Sequence, residues 1–290
     1  MAITQTVITP HTPANFSAAV DASGRYLISV GTSTFTVFDN NTSLIRAYNW
    51  TPPPGFTPVV HPNSYSIPLW GGVGRVFGGS SGGACLVVCY PDGTFDAFSV
   101  GLGSMTSIAG VCPYDTGFAL ALDYNGYLYE YVYIAFYDGT VTNTATITAL
   151  KDHTISGLTA VGDYLYAGSN NGIKVYRRST LSFIGDVAVG GSCFGRPLLD
   201  GTTSYWPTGV LRKVSLATPG TPSLVAAGGG SGYSSSLALG ADGRVYWSTA
   251  TALHSWKAGT PNRSDAITYP ATPARTETHA MGSELRIAFR

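Results

Sequence analysis

The chain has 290 residues, 44% hydrophobic and 11% charged, with sixteen basic side chains balancing sixteen acidic ones. That hydrophobic fraction supports a sizeable core and argues against wholesale disorder, and the lack of a basic excess argues against a phosphate-neutralising nucleic-acid surface. Thirty-six Gly, 17 Pro and 18 Tyr, against four Lys and three Glu (Glu130, Glu277, Glu284), describe short strands joined by many turns rather than surface helices. The fold class expected is all-β.

The opening "MAITQTVITP" has neither the basic nor the apolar region of a secretory signal, and residues 3–10 alternate like a strand. No apolar run approaches the roughly 20 residues of a membrane helix. Four strands follow at "FSAAV" (16–20), "RYLISV" (25–30), "TFTVFD" (34–39) and "LIRAYNW" (44–50). Residues 51–74, "TPPPGFTPVVHPNSYSIPLWGGVG", carry five prolines before Asn63, which excludes a central strand and reads as a long ordered insertion loop. After it, "ACLVVC" (84–89) is expected as a second strand and "GTFDAFS" (93–99) as a third. Then come "SIAGVC" (107–112), "GFALAL" (117–122), "GYLYEYV" (126–132) and "ATITAL" (145–150). The next group reads "ISGLTAV" (155–161), "DYLYAG" (163–168), "GIKVYRR" (172–178) and "SFIGDVAV" (182–189). "FGRPLL" (194–199), "TSYWP" (203–207), "GVLRKVS" (209–215) and "PSLVAAG" (222–228) repeat the pattern. So do "SSLALG" (235–240), "RVYWST" (244–249), "ALHSWK" (252–257) and "AITYPA" (266–271), before a closing "ELRIAF" (284–289).

Two phrases, "DASGRYLIS" (21–29) and "GADGRVYWS" (240–248), are nearly the same hairpin corner written twice. Centring each unit's second strand on Tyr26, Leu86, Ala119, Leu165, Tyr205, Val245 and Ile287 gives steps of 60, 33, 46, 40, 40 and 42. Most fall near the spacing of about 40–45 residues typical of a four-stranded propeller blade; the first two are uneven, as an insertion would make them. Residues 163–187, "DYLYAGSNNGIKVYRRSTLSFIGDV", resemble one blade of the quinoprotein-like and YVTN-type β-propeller families. That resemblance implies a β-propeller; the seven repeat units give a single domain spanning 1–290 with seven blades, six being the alternative count. The last unit lacks two strands, and the strand at 3–10 is expected to complete it and close the ring. The Trp-Asp marks of WD40 repeats and the double glycine of kelch repeats are absent.

Chemistry is sparse. Gly78-Gly79-Ser80-Ser81-Gly82 matches G-x-S-x-G, but a nucleophile elbow needs a helix after it, so this reads as a glycine-rich blade corner. Most Asp residues sit in Gly/Asn turns, and the five histidines (His11, His61, His153, His254, His279) are dispersed without metal-ligand spacing. Cys85, Cys89, Cys112 and Cys193 read as buried free thiols. No catalytic residue, metal or cofactor is expected.

Aromatic, charge-poor loops point instead to contact with protein or glycan. The candidate partner-binding residues are Phe56, Tyr65 and Trp70 in the insertion and Tyr90, Tyr124 and Tyr233 in other loops. The expectation is a non-enzymatic structural or binding scaffold whose partners are other structural proteins of an assembly, or a host-surface glycan or receptor, with no nucleic acid and no membrane. The opening "MAITQTVITP" resembles structural proteins of tailed-bacteriophage virions, which implies a virion component made in the host cytoplasm; a cytoplasmic protein is the alternative. The competing function is a propeller hydrolase or lyase with a carboxylate site at the channel mouth.

Overall fold

The computed structural model describes residues 16–60, 64–80, 83–100, 107–114, 117–123, 132–137, 142–147, 155–169, 172–177, 180, 182–188, 196–207, 211–215, 222–223, 236–269, 273 and 276–289. Within them every regular element is a strand. The first sheet holds β1 (Ser17–Val20), β2 (Tyr26–Val30), β3 (Thr34–Asp39) and β4 (Leu44–Asn49) in that order. The second holds β5 (Pro58–Val59), β6 (Ile67–Leu69), β7 (Gly72–Gly79), β8 (Ala84–Cys89) and β9 (Phe95–Val100). The third holds β10 (Ser107–Tyr114), β11 (Gly117–Asp123), β12 (Val132–Tyr137) and β13 (Thr142–Ile147), and the fourth β14 (Ile155–Val161), β15 (Tyr164–Ser169), β16 (Gly172–Arg177) and β17 (Phe183–Val187). The fifth holds β18 (Leu198–Asp200), β19 (Thr203–Pro207), β20 (Leu211–Ser215) and β21 (Pro222–Ser223). The sixth holds β22 (Ala238–Leu239), β23 (Val245–Ser248), β24 (Ala252–Trp256) and β25 (Arg263–Ala266); β26 (Thr276–Met281) and β27 (Glu284–Phe289) form the last.

All pairings are antiparallel and, apart from that of β5 with β7, join consecutive strands; each sheet contacts the next. Ile28, Phe35 and Trp50 meet Phe77, Cys85 and Val87 between the first and second sheets. Tyr166, Ile173 and Val175 meet Trp206 and Val214 between the fourth and fifth, and Tyr205 meets Val245 and Trp247 between the fifth and sixth. The last sheet returns to the first, where Met281 and Ala288 pack with Phe16, Ala18, Leu27 and Phe38. This radial array of small twisted sheets is a β-propeller, with the core distributed between blades rather than collected in one place.

The two similar phrases do occupy equivalent corners. Asp21 accepts hydrogen bonds from Ser23 N and Tyr26 N, Gly24 takes φ +74°, and the Arg25 guanidinium reaches Asp39 at 2.7 Å. That guanidinium holds the Asp39 carboxyl well below the usual carboxylate range. In the sixth sheet Asp242 accepts from Arg244 N, Gly243 takes φ +73°, and Arg244 reaches Thr260 Oγ1 and the Pro261 carbonyl. Each arginine ties the first turn of its sheet to the turn leaving the third strand.

The second sheet corrects the sequence alignment. β6 lies beside β1 and β10 on the inner side, so β7 is the second strand and "ACLVVC" the third. Centring on Val76 instead of Leu86 turns the uneven steps of 60 and 33 into 50 and 43. β7 escaped notice because "GVGRVFGG" is half glycine and lacks the β-branched signature of its counterparts. Residues 72–74 therefore belong to β7 and not to the loop, while β5 and β6 pair with opposite ends of that strand. Two smaller shifts follow from equally alternating neighbours: the third strand of the third sheet is Val132–Tyr137, and the outer strand of the sixth is Arg263–Ala266. The expected strand at 3–10 lies outside the described residues.

Two measurements test this architecture. The Ala18 N–H donates to the buried Glu277 carboxylate at 2.7 Å across the seam between last and first sheets. Glu277→Ala should cost about 1–3 kcal/mol by leaving that donor unsatisfied, and Glu277→Gln, which keeps an acceptor, distinctly less; denaturant midpoints read the difference. Burial pushes the Cys85 thiol up to about 12 and the Cys89 thiol further, so neither should react with iodoacetamide in the native protein at pH 8. Mass spectrometry showing alkylation of either would mean that the first and second sheets separate.

Candidate functional site

Residues Leu69-Trp70-Gly71-Gly72 form the two-residue turn joining β6 to β7, with Leu69 paired to Gly72. Both central residues are left-handed, Trp70 at φ +50° and Gly71 at φ +80°. This is the geometry of a type I′ hairpin turn, which favours Asn-Gly. A bulky side chain in the first position costs about 1–3 kcal/mol of backbone strain. Gly72 cannot be replaced cheaply either, since a Cβ there would meet the Cys89 carbonyl oxygen at 2.5 Å and the Tyr90 ring at 3.0 Å. The half-buried Trp70 indole meets Phe98 of β9 edge-on, with centroids 5.9 Å apart.

Strand alternation puts Gly72, Tyr90, Asp96 and Phe98 on one face of this sheet, opposite the face that packs on the first sheet. The Tyr90 hydroxyl donates to Asp96 at 2.9 Å, and burial with that carboxylate pushes the phenol up to about 12. Trp70 and Tyr90 therefore share one end of the second sheet, where the first turn and the β8–β9 turn lie together.

The other expected contact residues are not gathered there. Phe56 closes a turn in which its N–H donates to the Pro53 carbonyl, Pro54 and Gly55 (φ +79°) supplying the central pair of a type II turn. Its ring packs against the core between the first two sheets, near the far end of β7, where Ser80 N donates to the Thr57 carbonyl. Tyr65 is 6% exposed and lies within the fold. Tyr124 and Tyr233 lie outside the described residues. No helix follows Ser80 among the described residues.

A second constellation lines the inside of the ring. Ser66 N donates to Ser17 Oγ while Ser66 Oγ donates to the Ser17 carbonyl, both at 2.8 Å. Arg196, just before β18, donates from Nη1 to the Ser66 carbonyl at 3.0 Å. Burial pushes its guanidinium below the ordinary value, and Glu277 and Cys112 partly offset that. On β26 the alternation brings Glu277 and His279 to one face, with His279 Nε2 3.6 Å from Glu277 Oε2. Their exposures are 1% and 6%, so both are held inside the protein. Thr276 and Thr278 face the other way, onto Ser248 and Ser236 of the sixth sheet.

None of this cluster was among the expected site residues. A signal for it was present: Glu277 is one of three glutamates, and it precedes His279 by the two residues that share a strand face. The carboxylate pair that the competing hydrolase or lyase reading would use has no counterpart around it among the described residues. The buried acids among the described residues are Asp21 and Glu277, and Asp21 is consumed by its own turn. No group of three or more His, Cys, Asp or Glu able to hold a metal occurs among the described residues, and no helix there is long and apolar enough to cross a membrane.

No protein-family model matches the sequence, and no curated protein sequence matches it either. Solved structures do resemble the fold. Virginiamycin B lyase from Staphylococcus aureus superposes with a TM-score of 0.68 at 12% identity, over 94% of this chain and 91% of that one. A streptogramin B lyase gives 0.66 at 9% identity, over 96% and 95%. The WD40 β-propeller domain of Doa1 gives 0.65 at 11% identity, over 94% and 89%. At such identities the likeness is one of fold, and the fold shared by enzymes and a WD40 domain alike is the β-propeller.

Proposed function

We propose that this chain is a non-enzymatic binding scaffold, a propeller that presents turns at one end of its ring to another structural protein of an assembly. The observation that carries the reading is Trp70. A tryptophan at φ +50° in a turn suited to Asn or Gly is a local choice against stability. Large half-exposed aromatics are also the residues that dominate protein interfaces. Tyr90, at the same end, extends the contact. The setting that best joins a Thr-, Ser-, Gly- and Tyr-rich composition to the style of "MAITQTVITP" is the virion of a tailed bacteriophage.

Within this reading the ring has seven blades. The seven sheets of the described residues support that count, as does the last sheet, in which β26 is the one partner of β27 among the described residues. Residues 3–10 then supply a further strand to it.

A second reading, a propeller hydrolase or lyase, is favoured by Glu277 and His279 inside the ring. A general acid–base function needs a titratable pair within reach of substrate, and these two are the candidates. Turnover of a polysaccharide or lactone by the purified protein, lost in Glu277→Gln, would favour it over the scaffold.

Two experiments test the scaffold. Trp70→Asn should leave the melting temperature unchanged within a few degrees or raise it, because relief of backbone strain offsets the lost Phe98 contact. The same substitution should lower co-purification with the native particle at least tenfold; undiminished incorporation overturns the assignment. Removing residues 1–10 should expose the edge of β27 and give concentration-dependent aggregation by light scattering. A truncated protein that stays monomeric with an unaltered melting temperature refutes closure by that strand.

A further inference from the structure

Near the middle of the ring lies a cation, Arg196, that has no ion pair with an acid among the described residues. Arg196 is surrounded by protein deeply enough that burial disfavours its charge, yet it retains partial exposure to solvent. Arg196 precedes β18 of the fifth sheet yet reaches Ser66, beside β6 of the second, and a contact between those non-adjacent sheets crosses the middle of the ring. Its hydrogen bond among the described residues goes from Nη1 to a main-chain carbonyl, that of Ser66. A guanidinium has five N–H donors in a planar fork, so most of its donor capacity is unused among the described residues. The nearby carboxylate, Glu277, influences it through space but accepts its 2.7 Å hydrogen bond from Ala18 N.

Burying a guanidinium is costly unless a hydrogen-bonded anion accompanies it. His279 lies deeper than Arg196. His279 is 6% exposed, and its Nε2 has no hydrogen-bond partner among the described residues, the Glu277 oxygen standing off at 3.6 Å. The two groups are linked by a continuous path of short contacts. Arg196 holds Ser66, Ser66 exchanges two hydrogen bonds with Ser17, and Ala18 N binds Glu277, which neighbours His279. Segments at positions 17, 66, 196 and 277 are thus brought together to hold one arginine and one histidine in place.

We propose that the central channel binds a small oxoanion or carboxylate-bearing molecule, held by the Arg196 fork, with the buried His279 imidazole close by but not itself a ligand donor. Glu277 positions the site without contacting the ligand: its carboxylate fixes β26 to β1 and sets the field in which Arg196 stays charged. The ligand is small because its donors come from inner strands. A folded partner resting on the end of the ring would meet turns first. This site is independent of the contact surface at Trp70, which lies at the turn leaving β6.

Calorimetric titration of the full-length protein with inorganic phosphate and, separately, with citrate should give one saturable site per chain for at least one of them. The wild-type histidine ring resonances should then report its place. His279, identified by its loss in His279→Asn, should shift on saturation, while His254, stacked on Trp247 at 5.4 Å, should not. Arg196→Gln should weaken binding at least tenfold with an unchanged circular dichroism spectrum. If that variant does not fold, Arg196→Lys keeps the charge but loses the planar fork, and it should bind more weakly than wild type. No saturable binding of either anion overturns the proposal. So does binding that leaves the wild-type His279 resonances unmoved, or binding undiminished in a folded Arg196 variant.

Discussion

The structure depends on closing a ring, and the contact that spans the seam is between the Ala18 N–H and the Glu277 carboxylate, 259 residues apart. An innermost strand has a neighbour on one side only, so its free edge carries main-chain donors and acceptors that nothing in its own sheet can answer. Glu277 answers one of them from the last sheet. Around that bond Phe16, Ala18 and Leu27 pack on Met281 and Ala288, so polar satisfaction and apolar burial occur in the same seam. An open stack of the same sheets would leave two terminal faces to solvent. Closure makes each terminal face the partner of the other.

The same device recurs around the inner rim. Ser66 exchanges two hydrogen bonds with Ser17, Ser236 Oγ both accepts from Thr278 N and donates to its carbonyl, and Ser248 meets Thr278. Arg75, wholly buried, lies over Phe77 at 4.8 Å and donates to the Val30 carbonyl. Short hydroxyl side chains suit this place for two reasons. They fit where strands converge, and they supply the hydrogen-bonding partners that a converging set of strand edges requires. Crowding alone explains small residues; it does not explain why so many are Ser and Thr.

Much of the fold was legible because turns and strands announce themselves chemically. The Asp-Ala-Ser-Gly-Arg and Gly-Ala-Asp-Gly-Arg corners occupy matching places, with Gly24 and Gly243 both left-handed and both arginines reaching across their sheets. The second sheet was misaligned by one strand because β7 is half glycine, and glycine carries no strand propensity to read. Its strand state comes from context: buried between β6 and β8, it is paired along its length. The site was less legible. Composition found the aromatics of residues 51–74 but could not sort them, since Tyr65 is buried and Trp70 is held at a turn by a backbone angle that sequence does not reveal. Glu277 and His279 give a weak signal in sequence because a lone Glu-x-His on a strand is neither a carboxylate pair nor a metal-ligand spacing. What makes them notable is the company of Arg196, Ser66 and Ser17, and that is set only by closing the ring.

The two unusual features differ in kind, and the fold explains why both are tolerated. In a propeller each sheet packs its faces on its two neighbours, so a cost at the end of one sheet stays local. The strain at Trp70 is confined to a two-residue turn whose flanking strands are paired on both sides of β7, and whose glycines at 72 and 74 leave room for close packing. Arg196 and His279 sit where several sheets meet, and there a cost is shared. The Ser66 carbonyl, the Ser17 hydroxyl and the Glu277 carboxylate belong to three different sheets, and each already serves the rim. Turn strain at the end of one blade can therefore change without disturbing the ring. The polar groups inside the ring cannot change without disturbing the contacts that close it, and a ligand bound among them would stabilise the closed ring by mass action.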